Sequence, residues 1–168
     1  MRRLALALTL ALAPALLAAP PRSPWAGYKP GTFVKSKTVT VVTVGAHKVE
    51  TVTDITQSIV EVKGDRAVVE TTATMNGVPR PTRTRSEVSL KEPPPAAAGT
   101  VRRSGSESLT VAGRTLPCEW TEQETDMAGN RTTVRTWTSR QMPGGVVKTV
   151  SKNTLMESTL EVVAFEVK

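Results

Sequence analysis

Chemically reactive residues are scarce in this sequence. Its 168 residues include one cysteine, Cys118, and one histidine, His47. A zinc site takes three or four ligands that are usually His or Cys, so these two residues cannot form a zinc motif. A Cys–His nucleophile pair stays formally open, because a fold can bring distant residues together. Cys118 lies between Leu116 and Trp120, however, where a buried unreactive thiol is the commoner state.

Motifs for catalysis and for cofactor binding are also missing. The sequence has no glycine-rich phosphate loop and no serine nucleophile elbow, and Asp126 and Asn130 offer too few oxygens for a calcium loop. Three carboxylates cluster near Trp120: Glu119, Glu122 and Glu124. Acid–base catalysis would require burial to separate their pKa values, and exposed charges on an edge strand are far commoner. We therefore predict that the protein is not an enzyme, with no catalytic residue, no metal site and no cofactor.

The N-terminus has the pattern of a secretory leader. Two arginines follow Met1, an apolar run of Leu and Ala extends over residues 4–17, and the small residues Ala18 and Ala19 come next. This order is typical of a signal peptide, and the run is short of the ~20 residues that a membrane span needs. We predict a signal peptide over residues 1–19, a periplasmic or secreted bacterial protein, and no transmembrane segment in the mature chain. Cleavage after Ala15 and an uncleaved anchor are the alternatives.

The rest of the chain has a β-rich composition. Thr and Val supply 47 of the 168 residues, and their branched side chains suit a pleated sheet better than a helix. Aromatic residues make up only 4%, so the core must be mainly aliphatic. Prolines over residues 20–31 predict an extended lead-in, with Trp25 and Tyr28 packing onto the domain. A single β domain is predicted over residues 32–168, with a Pro- and Ala-rich loop at 92–99.

Turn signals divide this domain into short strands. Asn76-Gly77 is the strongest hairpin signal, and Pro143-Gly144-Gly145 separates two Thr- and Val-rich runs. The apolar phase of Val49–Val62 shifts near Ile55 and again at Ile59, which predicts a bulge or a bend. No amphipathic helix interrupts the runs. We predict an all-β protein with a single, strongly curved antiparallel sheet of about nine strands, resembling a half-barrel.

Basic residues are in excess. The formal charge is +7, or +5 without Arg2 and Arg3, which makes the surface attractive to anionic partners. Arg83 and Arg85 alternate along one predicted strand, and Arg131 and Arg135 alternate along another beside Trp137. Arg next to an aromatic ring can hold an acidic group. We predict a contact surface formed by Arg83, Arg85, Arg131, Arg135 and Trp137. The sequence has no signature of a nucleic-acid module, so nucleic acid is not an expected partner.

One set of motifs resembles a known superfamily. These motifs are Leu116-Pro-Cys-Glu-Trp120, then Trp137-x-Ser139-x-x-x-Pro143-Gly-Gly-Val-Val-Lys148, then Glu161-Val-Val-Ala-Phe165. Over residues 25–168 the chain resembles uncharacterised exported bacterial proteins that are similar to the periplasmic lipoprotein carriers, typified by LolA and LppX. The resemblance implies a half-open antiparallel sheet around an apolar cavity that accepts acyl chains. It transfers no individual functional residue.

Two functions follow from these observations. The first is an exported, soluble binding module that holds lipid or another apolar ligand on a concave β-surface. Its predicted ligand-binding residues are Val69, Met75, Val88, Leu90, Val134, Val147, Leu160 and Val162. The alternative is a structural or interaction domain of the cell envelope that contacts a protein partner and takes no small ligand. The two differ in whether the concave face is open or filled by the protein's own side chains.

Overall fold

The computed structural model describes residues 23–78, 80–91, 100–127 and 130–168, and at residues 100, 126, 127 and 130 it describes the backbone alone. The predicted signal peptide at 1–19, the first prolines of the lead-in and the predicted loop at 92–99 lie outside the described residues. Within those residues, no helix is long and apolar enough to cross a membrane.

The described residues form nine strands, in agreement with the prediction of a β-rich fold with about nine strands. They are β1 (Phe33–Val44), β2 (His47–Lys63), β3 (Arg66–Met75), β4 (Thr82–Ser89), β5 (Thr100–Val111), β6 (Arg114–Met127), β7 (Asn130–Thr138), β8 (Val146–Lys152) and β9 (Met156–Glu166). Asn76-Gly77 lies between β3 and β4, and Pro143-Gly144-Gly145 lies between β7 and β8, as the turn signals predict.

All nine strands belong to one antiparallel sheet, in the order β4-β3-β2-β1-β9-β8-β7-β6-β5. Strands β1 to β4 are joined by successive hairpins, and so are β5 to β9. The two series meet where β1 pairs with β9, from Phe33 opposite Glu166 to Val42 opposite Met156. This leaves β4 and β5 as the edges of the described sheet. The predicted fold class is confirmed.

The sheet curls most strongly in its C-terminal half. Three strands separate β5 from β9 in the order of the sheet, yet β5 lies against β9. The guanidinium of Arg114, at the start of β6, also lies 4.9 Å from the ring of Phe165 on β9. Strands β5 to β9 therefore form an incomplete barrel, whereas β1 to β4 extend from it.

The lead-in packs onto the sheet, although it is not extended. Residues 24–27 form a turn, in which the amide of Ala26 donates to the carbonyl of Ser23. Trp25 is 6% exposed and belongs to one buried cluster with Ile59, Ala67 and Val69. The prolines fix φ but do not prevent turns, so the chain folds back and places Trp25 over the sheet. The predicted packing of Trp25 and Tyr28 is found, since Tyr28 packs against the same cluster.

β2 contains one of the two irregularities that its apolar phase predicts. The register with β3 shifts between Ile59 and Glu61, which is the predicted bulge. Val52 and Ile55, by contrast, lie in an uninterrupted register with β1 and point to opposite faces. The first phase change therefore reflects apolar residues on both faces of a regular strand, and no bulge is present there.

The β5–β6 hairpin contains one strained residue. Ala112 and Gly113 connect Val111 to Arg114, which oppose each other, and their φ values are 49° and 76°. Positive φ at both positions is the geometry of a type I′ turn, which favours Asn-Gly. Ala112 pays the steric cost of a left-handed conformation that Asn tolerates better.

We expect Ala112→Asn to raise the free energy of unfolding by about 0.5–1 kcal/mol, because it relieves this strain. Chemical denaturation of the two proteins measures the difference. Ala46→Asn in the β1–β2 turn is the matched control, since Ala46 does not have positive φ. An equal gain at both positions would contradict the explanation.

Candidate functional site

The strand register sorts the side chains onto two faces. Directly opposed residues of antiparallel strands share a face, and one such row crosses five strands through Gly105, Trp120, Trp137, Lys148 and Glu161. We call this side the tryptophan face. We call the opposite side, which includes Val69 and Val162, the aliphatic face.

The predicted residue sets separate cleanly between these faces. The five predicted contact residues, Arg83, Arg85, Arg131, Arg135 and Trp137, all lie on the tryptophan face. Six of the eight predicted ligand-binding residues lie on strand positions of the aliphatic face, namely Val69, Met75, Val88, Val134, Leu160 and Val162. Val147 lies at the register shift between β7 and β8 and has no opposed residue. Leu90 follows β4 and packs with Val88 against the same cluster.

The protein's own side chains fill one end of the aliphatic face. Val69 and Val162 are 2% and 7% exposed. Val69 is buried in one cluster with Trp25, and Val162 is buried in a second cluster with Val147, Met142 and Trp137. The other end is more open, because Met75 is 44% exposed and Val134 and Leu160 are half-buried. The predicted ligand-binding role of this face stays a prediction.

The buried face changes between the two halves of the sheet. Ile59, Ala67 and Val69 are buried on the aliphatic face, whereas Leu116, Cys118 and Trp137 are buried on the tryptophan face. The two sets belong to different buried clusters. The tryptophan face is therefore the inner surface of the incomplete barrel.

Arg135 lies at the centre of this inner surface. Its guanidinium is 4.5 Å from the ring of Trp120 and 5.7 Å from the ring of Trp137. Its Nε donates to Oε2 of Glu122 at 3.0 Å, and Nη2 donates to the same oxygen. Two cation–π contacts and a charge-assisted pair hold the planar group in one orientation.

Trp137 is held from two further directions. Its indole Nε1 donates to a carboxylate oxygen of Glu107 on β5. Nζ of Lys148 lies 5.8 Å from its ring and 2.5 Å from Oε1 of Glu161. Residues of five strands thus converge on the two tryptophans, and the contacts leave little freedom to the rings.

Two adjoining grooves border this centre. One has a volume of about 350 Å³ and is lined by Glu122, Thr133, Arg135, Trp137, Val150 and Lys152. The other has a volume of about 500 Å³ and is lined by Arg102, Arg103, Glu122, Glu124, Arg131 and Thr133. They share Glu122 and Thr133 and therefore adjoin. We call the two grooves together the depression, which has a tryptophan in one groove and three arginines in the other.

The remaining predicted contact residues form a separate patch. Arg83 and Arg85 on β4 pair with Glu70 at 3.6 and 2.8 Å. Five strands separate β4 from β7 in the sheet. The predicted contact surface is therefore divided into two places on one face, and the tryptophans belong to only one of them.

Several residues of the site were not singled out from the sequence, among them Arg102, Arg103, Glu107, Gly105 and Lys148. The spacing was a signal in the sequence: with Met127 opposite Asn130, counting along both strands places Trp120 opposite Trp137 and Glu122 opposite Arg135, which is the observed register.

His47 and Cys118 are not brought together into a contact. His47 is exposed beside the β1–β2 turn, opposite Val44. Cys118 is 2% exposed on β6, and its thiol donates to the carbonyl of Leu116 at 3.5 Å. Burial raises the pKa of the Cys118 thiol. Its contribution to stability is therefore complete at low pH, and is lost as pH rises through the folded-state pKa.

At pH 8 we expect native Cys118 to react with a soluble aromatic disulfide at least about 100-fold more slowly than in the denatured protein, because reaction requires local opening and deprotonation. Absorbance of the released thiolate measures both rates. Immediate reaction of the native protein would mean an accessible thiolate, and would contradict the burial of Cys118.

Gly105 leaves the space that Trp120 occupies. A Cβ atom at this position would lie 2.9 Å from three atoms of the indole ring. Ring and backbone are thus in direct contact across the β5–β6 pair, so the glycine of the edge strand sets where the tryptophan lies.

Gly105→Ala should lower the free energy of unfolding by about 1–3 kcal/mol, because the ring or the strand must move. The cost should largely disappear in a Trp120→Ala background, and a double-mutant cycle measured by denaturation tests this. Ser104→Ala, at the neighbouring exposed position, is the control. An equal cost in both backgrounds would exclude the contact as the cause.

Comparison with known proteins gives little to add to this geometry. No protein-family model and no curated protein matches the chain. Among solved structures, the chain is similar to a Bacteroides fragilis protein that is thought to be exported and that has a YmcC-like fold. The two are 7% identical, the TM-score is 0.49, and the alignment covers 84% of this chain and 98% of the other.

Proposed function

We propose that this protein is an exported, non-catalytic interaction domain of the bacterial cell envelope that binds its partner through the tryptophan face of β5 to β8. Export rests on the leader pattern of residues 1–19. The role of the tryptophan face rests on one observation above all. Arg135 is fixed between two indole rings and Glu122, at the wall of an open groove.

Binding is a better use of this arrangement than catalysis. The polar groups in and around the groove engage one another in two ion pairs, Glu122 with Arg135 and Lys148 with Glu161, and in a hydrogen bond from Trp137 to Glu107. Such contacts immobilise side chains before a partner arrives, which reduces the entropy cost of binding. A planar Arg flanked by aromatic rings is also the composition favoured at the centre of interfaces.

An apolar ligand on the aliphatic face is the second candidate. Met75 is 44% exposed there, and Val134 and Leu160 are half-buried, so the open end of this face has apolar surface to offer. The filled end, where Trp25 and Met142 cover the sheet, leaves less room for a long acyl chain. This favours the interaction domain as the first candidate.

Nuclear magnetic resonance separates the two candidates. Solubilised cell-wall fragments, anionic lipid vesicles and laurate are each added to the isotope-labelled exported chain. We expect the indole N–H signals of Trp120 and Trp137 to shift with an envelope fraction, and Arg135→Gln to weaken binding about tenfold, since a charged anchor is lost.

Arg80→Gln, which changes an exposed arginine away from the grooves, should bind as the unaltered protein does. Shifts confined to Met75, Val134 and Leu160 on addition of laurate would favour the lipid-binding function instead. The proposal is overturned if no envelope fraction moves either indole signal.

A further inference from the structure

In the part of the depression that arginines line, one arrangement occurs twice: a glutamate lies between two arginines. Glu124 lies between Arg102 and Arg131, with Nε–Oε distances of 3.0 Å to each. Glu122 lies between Arg135, at 2.5 Å, and Arg103, at 4.0 Å. The glutamate side chains are only 21% and 17% exposed. Each carboxylate therefore acts as a fixed anchor for two guanidinium groups from neighbouring strands.

Three of these arginines contact glutamate through Nε, which leaves the far edge of each guanidinium able to bind a ligand. Arg102, Arg103 and Arg131 all approach their glutamates through Nε. Their side chains are 59%, 74% and 69% exposed. A guanidinium that is held through Nε still directs its terminal amino groups away from the carboxylate, and these groups can donate two parallel hydrogen bonds to an oxyanion.

Charge in the depression is not balanced. Among the side chains that the structure describes there, four arginines surround two glutamates: Arg102, Arg103, Arg131 and Arg135 against Glu122 and Glu124. These described side chains carry two more positive than negative charges beside a groove of about 500 Å³. The hydroxyl-bearing side chain of Thr133 lines both grooves and adds a neutral donor. A dianion that accepts several hydrogen bonds is the complementary ligand.

We propose that Arg102, Arg103 and Arg131, anchored by Glu122 and Glu124, form a binding site for a phosphoryl group. The group is carried either by a lipid headgroup or by a soluble phosphate compound. This inference rests on the proposed function, because it names the chemistry that the tryptophan face recognises. The glutamates position the arginines, and the phosphoryl oxygens take the terminal amino groups.

A matched patch exists elsewhere on the same face. Glu70 also lies between two arginines, Arg83 and Arg85, and is 15% exposed. It provides the same arrangement of one glutamate between two arginines, without the groove residues. Loss of these two arginines changes the net charge of the protein by the same amount, so it separates a built site from general electrostatic attraction.

The test uses isothermal titration calorimetry of the exported chain with inorganic phosphate and pyrophosphate, and co-flotation with phosphatidic acid vesicles. Arg102→Gln/Arg131→Gln should weaken binding at least about tenfold, as expected for the loss of charge-assisted hydrogen bonds. Arg83→Gln/Arg85→Gln should change it less than about twofold. Binding of vesicles without free phosphate identifies a headgroup as the source, and the reverse identifies a soluble compound.

Equal weakening by the two double variants would overturn the proposal in favour of surface charge. So would the absence of binding to both phosphates and vesicles. If the indole signals of Trp120 and Trp137 still shift with an envelope fraction in that case, the interaction function stands and only the ligand class is wrong. Should Arg102→Gln/Arg131→Gln fail to fold, backbone amide shifts at residues 102, 103 and 131 of the unaltered protein on adding pyrophosphate decide the question.

Discussion

The pairing of β1 with β9 is the constraint on which the rest of this structure depends. Every other strand pair is a hairpin between neighbours in the chain, and β1–β9 alone joins the two series in the described sheet. It brings Phe33 opposite Glu166, which closes almost the whole domain into one loop. Closing a loop of this length is costly in entropy, so the pairing must be stabilised by burial of side chains from both strands. Val34 of β1 and Val162 of β9 are buried in the same cluster.

The two halves of the sheet, which the pairing of β1 with β9 joins, bury different faces. β1 to β4 bury their aliphatic face under Trp25, whereas β5 to β7 bury their tryptophan face inside the incomplete barrel. The register from Trp137 through Lys148 to Glu161 is unbroken, so the change comes from the curl of β5 to β9 and not from an exchange of faces. The site exists because this curl makes a charged, aromatic face the inner one.

Few residues hold the guanidinium of Arg135 in place on this β-surface. Arg135 is held by two rings and one carboxylate. The ring of Trp120 packs against the backbone at Gly105, where a Cβ atom would leave no room for it. The position of the Trp120 ring and the charge of the depression both depend on β5. The strand that supplies the glycine also supplies Arg102, Arg103 and Glu107, so an edge strand both shapes the depression and charges it.

Much of the fold follows from local chemistry. The β-branched composition, the turn residues such as Asn76-Gly77, and the bulge after Ile59 are consequences of side-chain shape and backbone freedom, and they are readable from the sequence. The face of each predicted residue is readable as well, because alternation within a strand is strictly local. The apolar set and the Arg-and-Trp set accordingly lie on opposite faces of the sheet.

Long-range pairing was decided only by the tertiary structure. No local pattern says that β1 meets β9, that the curl turns the tryptophan face inward, or that Glu107 reaches Trp137. The same limit separates Arg83 and Arg85 from Arg131 and Arg135, which look equivalent in sequence and lie in different patches. The physical reason is that propensity and alternation act over a few residues, whereas strand order is set by which distant surfaces bury each other best.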